Sequence, residues 1–297
     1  MNAAISENAP VTRVAGMDLS RKWRWRLVFS WGMDVLVAAV TLAALVPLGS
    51  VLYMVIWRGA GNFRWEMLWK LPPAAGMAGG GFGNALAGTL VLVAIGAVVS
   101  VPVGILTAIY LTEYAHGSKS ARAIRFAAKI LSGLPSILAG VFIFGVLVVT
   151  TRSFSAIAGG LALGILMLPI IILTTEEALL RVPRYLREAS LALGANPTQT
   201  VLKITLPAAG STIVTGVMLA VARAAGETAP IIFTALFTNY WIASLHEPVA
   251  SMAVLIYNFS GVPYDNLINM AWSASFILIL LVLVTNVVSH VLAARQK

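Results

Sequence analysis

No cysteine occurs in the 297 residues. That excludes a disulfide framework, a thiol nucleophile and an iron–sulfur site. Histidine is almost as scarce: His116, His246 and His290 share no close spacing, which argues against a histidine metal cluster. Charge is scarce too. Asp, Glu, Lys and Arg make up 10% of the chain, where soluble domains carry roughly 25%. Gly is nowhere followed directly by Lys, so there is no G-x-x-x-x-G-K-[ST] phosphate loop and the chain is not itself an ATPase. Inner segments hold few carboxylates and no clustered set, which leaves little for a membrane enzyme to work with. The expectation is a protein with no catalytic residues, no metal and no cofactor of its own.

Apolar residues are what the chain has. They form 59% of it, and the mean hydropathy of +0.91 marks an integral membrane protein. Six apolar runs, at about 33–57, 85–111, 129–150, 156–174, 209–236 and 270–292, are long enough to cross a ~30 Å hydrocarbon core. Backbone groups cannot stay unpaired in lipid, so the expected fold is all-α: a polytopic bundle of six transmembrane helices. Gly160 and Gly164, four residues apart in the fourth run, suit close helix packing.

The pI near 10.2 suggests nucleic acid at first sight, but the basic residues sit in short segments beside apolar runs and read as topology signals. With the N-terminus inside, fifteen of the 20 Lys and Arg fall in inner segments. Arg58, Arg64, Lys70 and Arg152 fall in outer ones, and Arg223 lies within a span. The positive-inside rule then puts both termini in the cytoplasm. "RKWRWR" could open a signal peptide, but the apolar run after it exceeds the ~7–15 residues of such a signal. Residues 1–30 therefore read as a cytoplasmic tail, with Trp23 and Trp25 at the lipid interface. Residues 31–84 are a first span and outer loop, 85–292 the main transmembrane domain, and 293–297 a cytoplasmic end. In the outer loop, Trp65 and Trp69 suggest a segment on the membrane surface, and "GMAGGGFG" reads as a flexible linker. In the last outer loop, about 237–269, "PVASMAVLIYNF" is too short to span and is expected to dip in or lie flat.

Between the fourth and fifth runs, residues 175–207 are unusually polar. Leu180, Leu186, Leu191 and Leu193 give a charged helix an apolar surface, and Pro183 bends or restarts it. Gly194 can end it in the left-handed conformation. Asn196 suits an N-cap, Pro197 the first helical position and Gln199 the closing place of a capping box. The expected result is a helix, a sharp turn and a second short helix, about 197–204, ending before Pro207.

The order of residues here resembles the cytoplasmic loop of ABC importer permeases. Its pattern is Glu-Ala-Ala, three residues, Gly, nine residues, Ile, one residue, Leu-Pro. Glu188, Ala189, Ser190, Gly194, Ile204, Leu206 and Pro207 stand at that spacing, with Ser190 as the single departure. In that family the loop docks into a groove on the ATPase subunit and transmits its closure. The resemblance thus implies a type I ABC importer permease fold, with ATP and Mg on a partner ATPase, and a coupling element at these residues.

The fifth run reads "GSTIVTGVMLAVARAAGETAPIIFTALF". At ~1.5 Å per residue, Arg223 lies roughly 21 Å in. A lone arginine at that depth costs about 2.5–3.5 kcal/mol, so it should face protein or a wet pathway. Glu227 follows one turn later on the same face, and Pro230 removes the bond to the carbonyl of Gly226. "AAGETAP" should therefore be a bent or opened turn. Two readings of the pair stand: a structural ion pair, or a guanidinium fork offered to an oxyanion.

"ARAAGETAP" resembles the signature of PstA-type phosphate permeases, as do "GLPSILAGVF" (133–142) and "AVLIYNF" (253–259). The likeness runs from about Gly83 to His290. It implies a subunit of an ATP-driven phosphate importer in the bacterial inner membrane. Arg223 and Glu227, and more weakly Thr228, would lie in the substrate pathway. It also implies a second permease of the PstC type, an ATP-binding subunit dimer and an extracytoplasmic phosphate-binding protein as partners, with membrane lipid around them and no nucleic acid. The rival reading is a permease for another oxyanion or small solute. A lone secondary transporter or channel predicts charged pairs on several spans and no docking loop.

Overall fold

The computed structural model describes residues 20–115 and 117–294, and the side chains of residues 25–115, 117–288 and 291. Most of the tail, His116, Arg295 and Lys297 lie outside the described residues, as do the side chains of Trp23 and His290. In chain order the helices are α1 (Ser20–Asn62), α2 (Gly83–Tyr114), α3 (Lys119–Gly133), α4 (Ser136–Thr151) and α5 (Ala156–Leu180). Then come α6 (Arg184–Ala192), α7 (Pro197–Ala225), α8 (Ala229–Ile232), α9 (Met252–Ser260) and α10 (Asp265–Ala294). No strand occurs among the described residues. Helices α1, α2, α5, α7 and α10 are each long and apolar enough to cross a membrane.

The chain divides into two units, the first ending at Tyr53 and the second beginning at Met54, so the boundary falls inside α1. From Trp25 to Tyr53 the first unit is one helix with every side chain exposed. A helix apolar on all sides is stable only in lipid or against other membrane helices. Helix α1 has 43 residues and outruns the expected 33–57 at both ends. Nothing in "RKWRWR" breaks a helix, so the span continues through its polar flank.

In the second unit α2 and α5 form the central pair. Gly96, Gly160 and Gly164 set their distance of approach: a Cβ on Gly160 would lie 2.5 Å from the Cβ of Ile95. Leu92, Leu163, Met167 and Ile171 fill the contact, and Ala220 and Ala224 bring α7 against it. Packing through small residues suits a medium in which no hydrophobic force drives helices together. The N-terminus of α5 is closed by Ser155, whose hydroxyl accepts from Ala158 N–H at 3.1 Å. Loop carbonyls serve its other donors, Glu247 O for Ala156 and Leu245 O for Ile157. The end of α1 meets α10, where Arg58 lies 5.5 Å over the Trp272 ring and Ser273 donates to Gly59 O.

Three expectations need correction. The third run is not one helix over 129–150: α3 and α4 are bent by 105° at a break. Pro135 has no N–H and pushes Leu134 to an extended conformation (ψ 142°), so the helix stops and restarts. The short helix at 197 does not end before Pro207. It runs on as α7 through a π turn at Val201–Thr205, in which Leu206 N–H bonds Val201 O. The widened turn accommodates a proline ring that would collide with a regular preceding turn. The glycine run of the first loop is not a loose linker either. It folds back on the 3₁₀ turn Trp65–Leu68, with Phe82 N–H donating to Met67 O at 2.8 Å and Gly81 N–H to Leu71 O at 2.9 Å. The short segment of the last loop is a helix packed into the protein: α9 is capped by Ser251 and buries Met252 and Leu255.

Candidate transport and docking sites

The first site is the break after α7. The helix stops at Ala225, and Gly226 and Glu227 donate back to Arg223 O and Ala224 O at 3.1 and 3.2 Å. The chain restarts as α8 with Pro230 in its first turn. Helix α8 lies hard against α4, since a Cβ on Gly140 would stand 2.6 Å from Pro230 Cα. The expected opening at "AAGETAP" is therefore present, and the helical part of the fifth run ends well short of 236. Irregular backbone among spans is tolerated where it is packed in protein or lines a cavity. Arg223 Nε approaches Glu227 Oε1 at 3.6 Å, too long for a hydrogen bond. Glu227 is 15% exposed and Arg223 54%. The carboxylate is thus largely enclosed by protein, while the guanidinium is held loosely at an open surface. Thr228 is half-buried in the N-cap position of α8 and its side chain makes no capping bond there.

The second site is the hairpin of α6 and the start of α7. Gly194 has φ +87°, its N–H bonds Leu191 O at 2.9 Å, and Ala195 N–H bonds Ser190 O at 3.2 Å. This is a Schellman ending, open to glycine because a Cβ would clash in the left-handed conformation. Asn196 and Gln199 then form a complete capping box, with bonds of 2.8 and 3.0 Å. The motif residues separate by face. Glu188, Ala189, Gly194 and Pro207 are exposed, Ile204 and Leu206 are half-buried, and Ser190 is buried. Ser190 Oγ meets Thr200 Oγ1 at 3.0 Å across the hairpin. Leu193 at the tip is 90% exposed, with Leu191, Leu202 and Tyr185 also open. An exposed apolar tip on a rigid support is a surface for another protein.

Sequence reasoning missed the groups under this hairpin. Arg187 Nη2 pairs with Glu113 Oε1 at 2.9 Å, and Arg125 Nε with Glu176 Oε1 at 2.5 Å. A cleft of about 410 Å³ runs beside the first of these pairs, lined by Thr112, Glu113, Leu180, Arg184, Arg187 and Glu188. In the sequence these arginines read as topology signals. The one available clue was the placing of Glu113 and Glu176 at the ends of apolar runs, where a carboxylate needs a partner. Among the described residues no group of three or more His, Asp or Glu converges to hold a metal ion.

A bundle of membrane-length helices, a charged break in one of them and a projecting hairpin with an apolar tip together define a membrane permease. Residues 100–297 match the model of the family described as "Binding-protein-dependent transport system inner membrane component". The chain belongs to that family and, within it, to the PstA-type permeases. It is 38% identical over 277 residues to the phosphate transport system permease protein PstA of Yersinia pestis, covering 93% of this chain and 94% of that one. The PstA of Haemophilus influenzae is 37% identical over 247 residues, covering 83% and 87%. The probable phosphate transport system permease protein PstA of Methanocaldococcus jannaschii is 34% identical over 250 residues, covering 84% and 88%. Among solved structures, an inward-facing MetNI methionine ABC transporter superimposes with TM-score 0.59 at 23% identity, covering 79% of this chain and all of that one. A bacterial alginate ABC transporter gives 0.57 at 14% identity, covering 93% and 94%. These two likenesses establish the fold.

Proposed function

We propose that the chain is one of two transmembrane subunits of an ATP-driven importer of inorganic phosphate, and that it forms half of the path. The observation that carries this is the loosely held guanidinium of Arg223 at the helix break, next to a carboxylate that is itself largely enclosed. Arginine matches phosphate oxygens bidentately, and a flexible, half-exposed fork can take an anion without first giving up a tight internal bond. The PstA-type relatives support phosphate as that anion. Glu227 orients the fork, and Thr228 adds a hydroxyl at the break. Import against an inside-negative potential costs about 2.3 kcal/mol per charge per 100 mV, so the path needs an energy source. On this reading the hairpin 181–207 faces the cytoplasm and docks an ATP-binding subunit of the partner dimer, which holds ATP and Mg. The second permease is of the PstC type, and an external binding protein delivers phosphate to the opposite mouth.

The test is phosphate uptake by the assembled complex carrying Arg223→Gln. We expect uptake to fall at least about tenfold, the worth of one charge-assisted hydrogen bond. Normal uptake would leave Arg223 as a structural partner of Glu227 only. For docking, Glu188→Arg and Gly194→Val should each release the ATPase on purification; its retention in both, with uptake intact, removes the hairpin from that role.

A further inference from the structure

Four charged groups have no part in either site: Glu113, Arg125, Glu176 and Arg187. All are buried or half-buried near helix ends, where an ion without a partner is strongly unfavourable. Arg187 sits on α6, next to Glu188 of the docking face. Its Nη1 donates to Val182 O at 2.9 Å, and its Nη2 donates to Leu179 O and to Glu113 Oε1, both at 2.9 Å. One guanidinium thus joins α6 to the C-terminal end of α5 and to the terminal π turn of α2, Tyr110–Tyr114.

We propose that Arg187 and Glu113 form a polar link that helps carry movement of the docking hairpin into α2 and α5; the proposal rests on the reading of that hairpin as the ATPase contact. A planar fork with three partners leaves little slack. Leu186 also packs α6 against Leu179 and Ile109, and α7 continues the hairpin into a span, so the guanidinium adds a directional polar tie to contacts that are otherwise apolar and can slide. The far side of the link is anchored as well. In the π turn Ala115 N–H bonds Tyr110 O, so Leu111 O loses its ordinary helical donor. Arg125 Nη2 takes that place at 3.0 Å while its Nε holds Glu176 of α5. The end of α2 is therefore gripped by arginines from α3 and α6. Beyond it, α2 and α5 interlock through Gly96, Gly160 and Gly164, so a push at the π turn moves both spans. Arg187 and Glu113 are positioning residues in this account.

Glu113 belongs to α2 and not to the docking hairpin, although it lines the same cleft as Glu188, so retention of the ATPase is measured beside coupling to separate transmission from docking. The native complex, Glu113→Ala, Glu113→Gln and Glu113→Asp are purified with their partner subunits and sealed into liposomes. Phosphate carried per ATP hydrolysed is then measured. The ATPase should remain bound in all four. The transport ratio should fall at least about fivefold in Glu113→Ala, at the low end of measured coupling between sites, and recover in Glu113→Asp. An unchanged ratio in both Glu113→Ala and Glu113→Gln would overturn the link. So would loss of the ATPase from both, since the pair would then serve only to keep the hairpin folded. A native complex that holds no ATPase would overturn the docking reading together with this one, whereas normal native coupling with unaffected variants overturns this one alone.

Discussion

Ser190 stands where the loop pattern carries alanine, one small residue in place of another. In the fold its hydroxyl is buried against that of Thr200 and closes the hairpin. Ser190→Ala should therefore destabilise the hairpin by about 1–2 kcal/mol, because Thr200 Oγ1 is left buried without a partner. Ser190→Ala combined with Thr200→Val should cost less than the single change. Thermal unfolding in detergent, or amide exchange at Leu191–Thr200, checks both; equal costs for the single and double variants would dismiss the bond. Residues whose roles follow from their own backbone were legible in advance. Gly194 and Asn196 took the cap positions that their chemistry assigns. Ser190 was not legible, because its partner is supplied by the folding of the hairpin and not by its neighbours.

At the scale of elements, proline and glycine carried most of the information. Pro230 announced the opening after α7, and it is there. Pro135 interrupts a run whose hydropathy alone reads as one span, and the bend of 105° is its result. The π turns were invisible, since an i+5 bond has no residue signature and depends on what the neighbouring helices demand of the register. Where α2 crosses α5, Gly160→Val would drive a side chain into Ile95. Overpacking of this kind costs about 1–3 kcal/mol, so the melting temperature in detergent should fall and complex yield with it. An unaltered melting temperature would show that the two spans can move apart freely. At the second cap, Asn196→Ala removes the acceptor for Gln199 N–H and should cost about 1 kcal/mol, read as faster amide exchange in the first turn of α7.

At the scale of the whole molecule, the described chain has an exposed apolar helix in its first unit and an exposed apolar hairpin tip in its second, both of which call for partners. On the proposed reading, transport is a property of the assembly. Liposomes holding this chain and a second permease without the ATPase should take up phosphate only at background level, whereas adding ATPase and loaded binding protein should restore ATP-dependent uptake. Substantial uptake without the ATPase would point to a carrier that works alone.

The order of residues by itself determined the membrane class, most of the spans, the Schellman turn and capping box of the hairpin, and the break at "AAGETAP". Each depends on hydropathy, glycine, proline or capping within a few residues of chain. Only the tertiary structure decided the pairs Glu113–Arg187 and Arg125–Glu176, 74 and 51 residues apart. The same is true of the loose hold on Arg223 and the angle between α3 and α4. Charged side chains in a low-dielectric bundle pair with whatever packing brings within reach, and that is settled by the crossing of α2 with α5, which no local stretch of sequence contains.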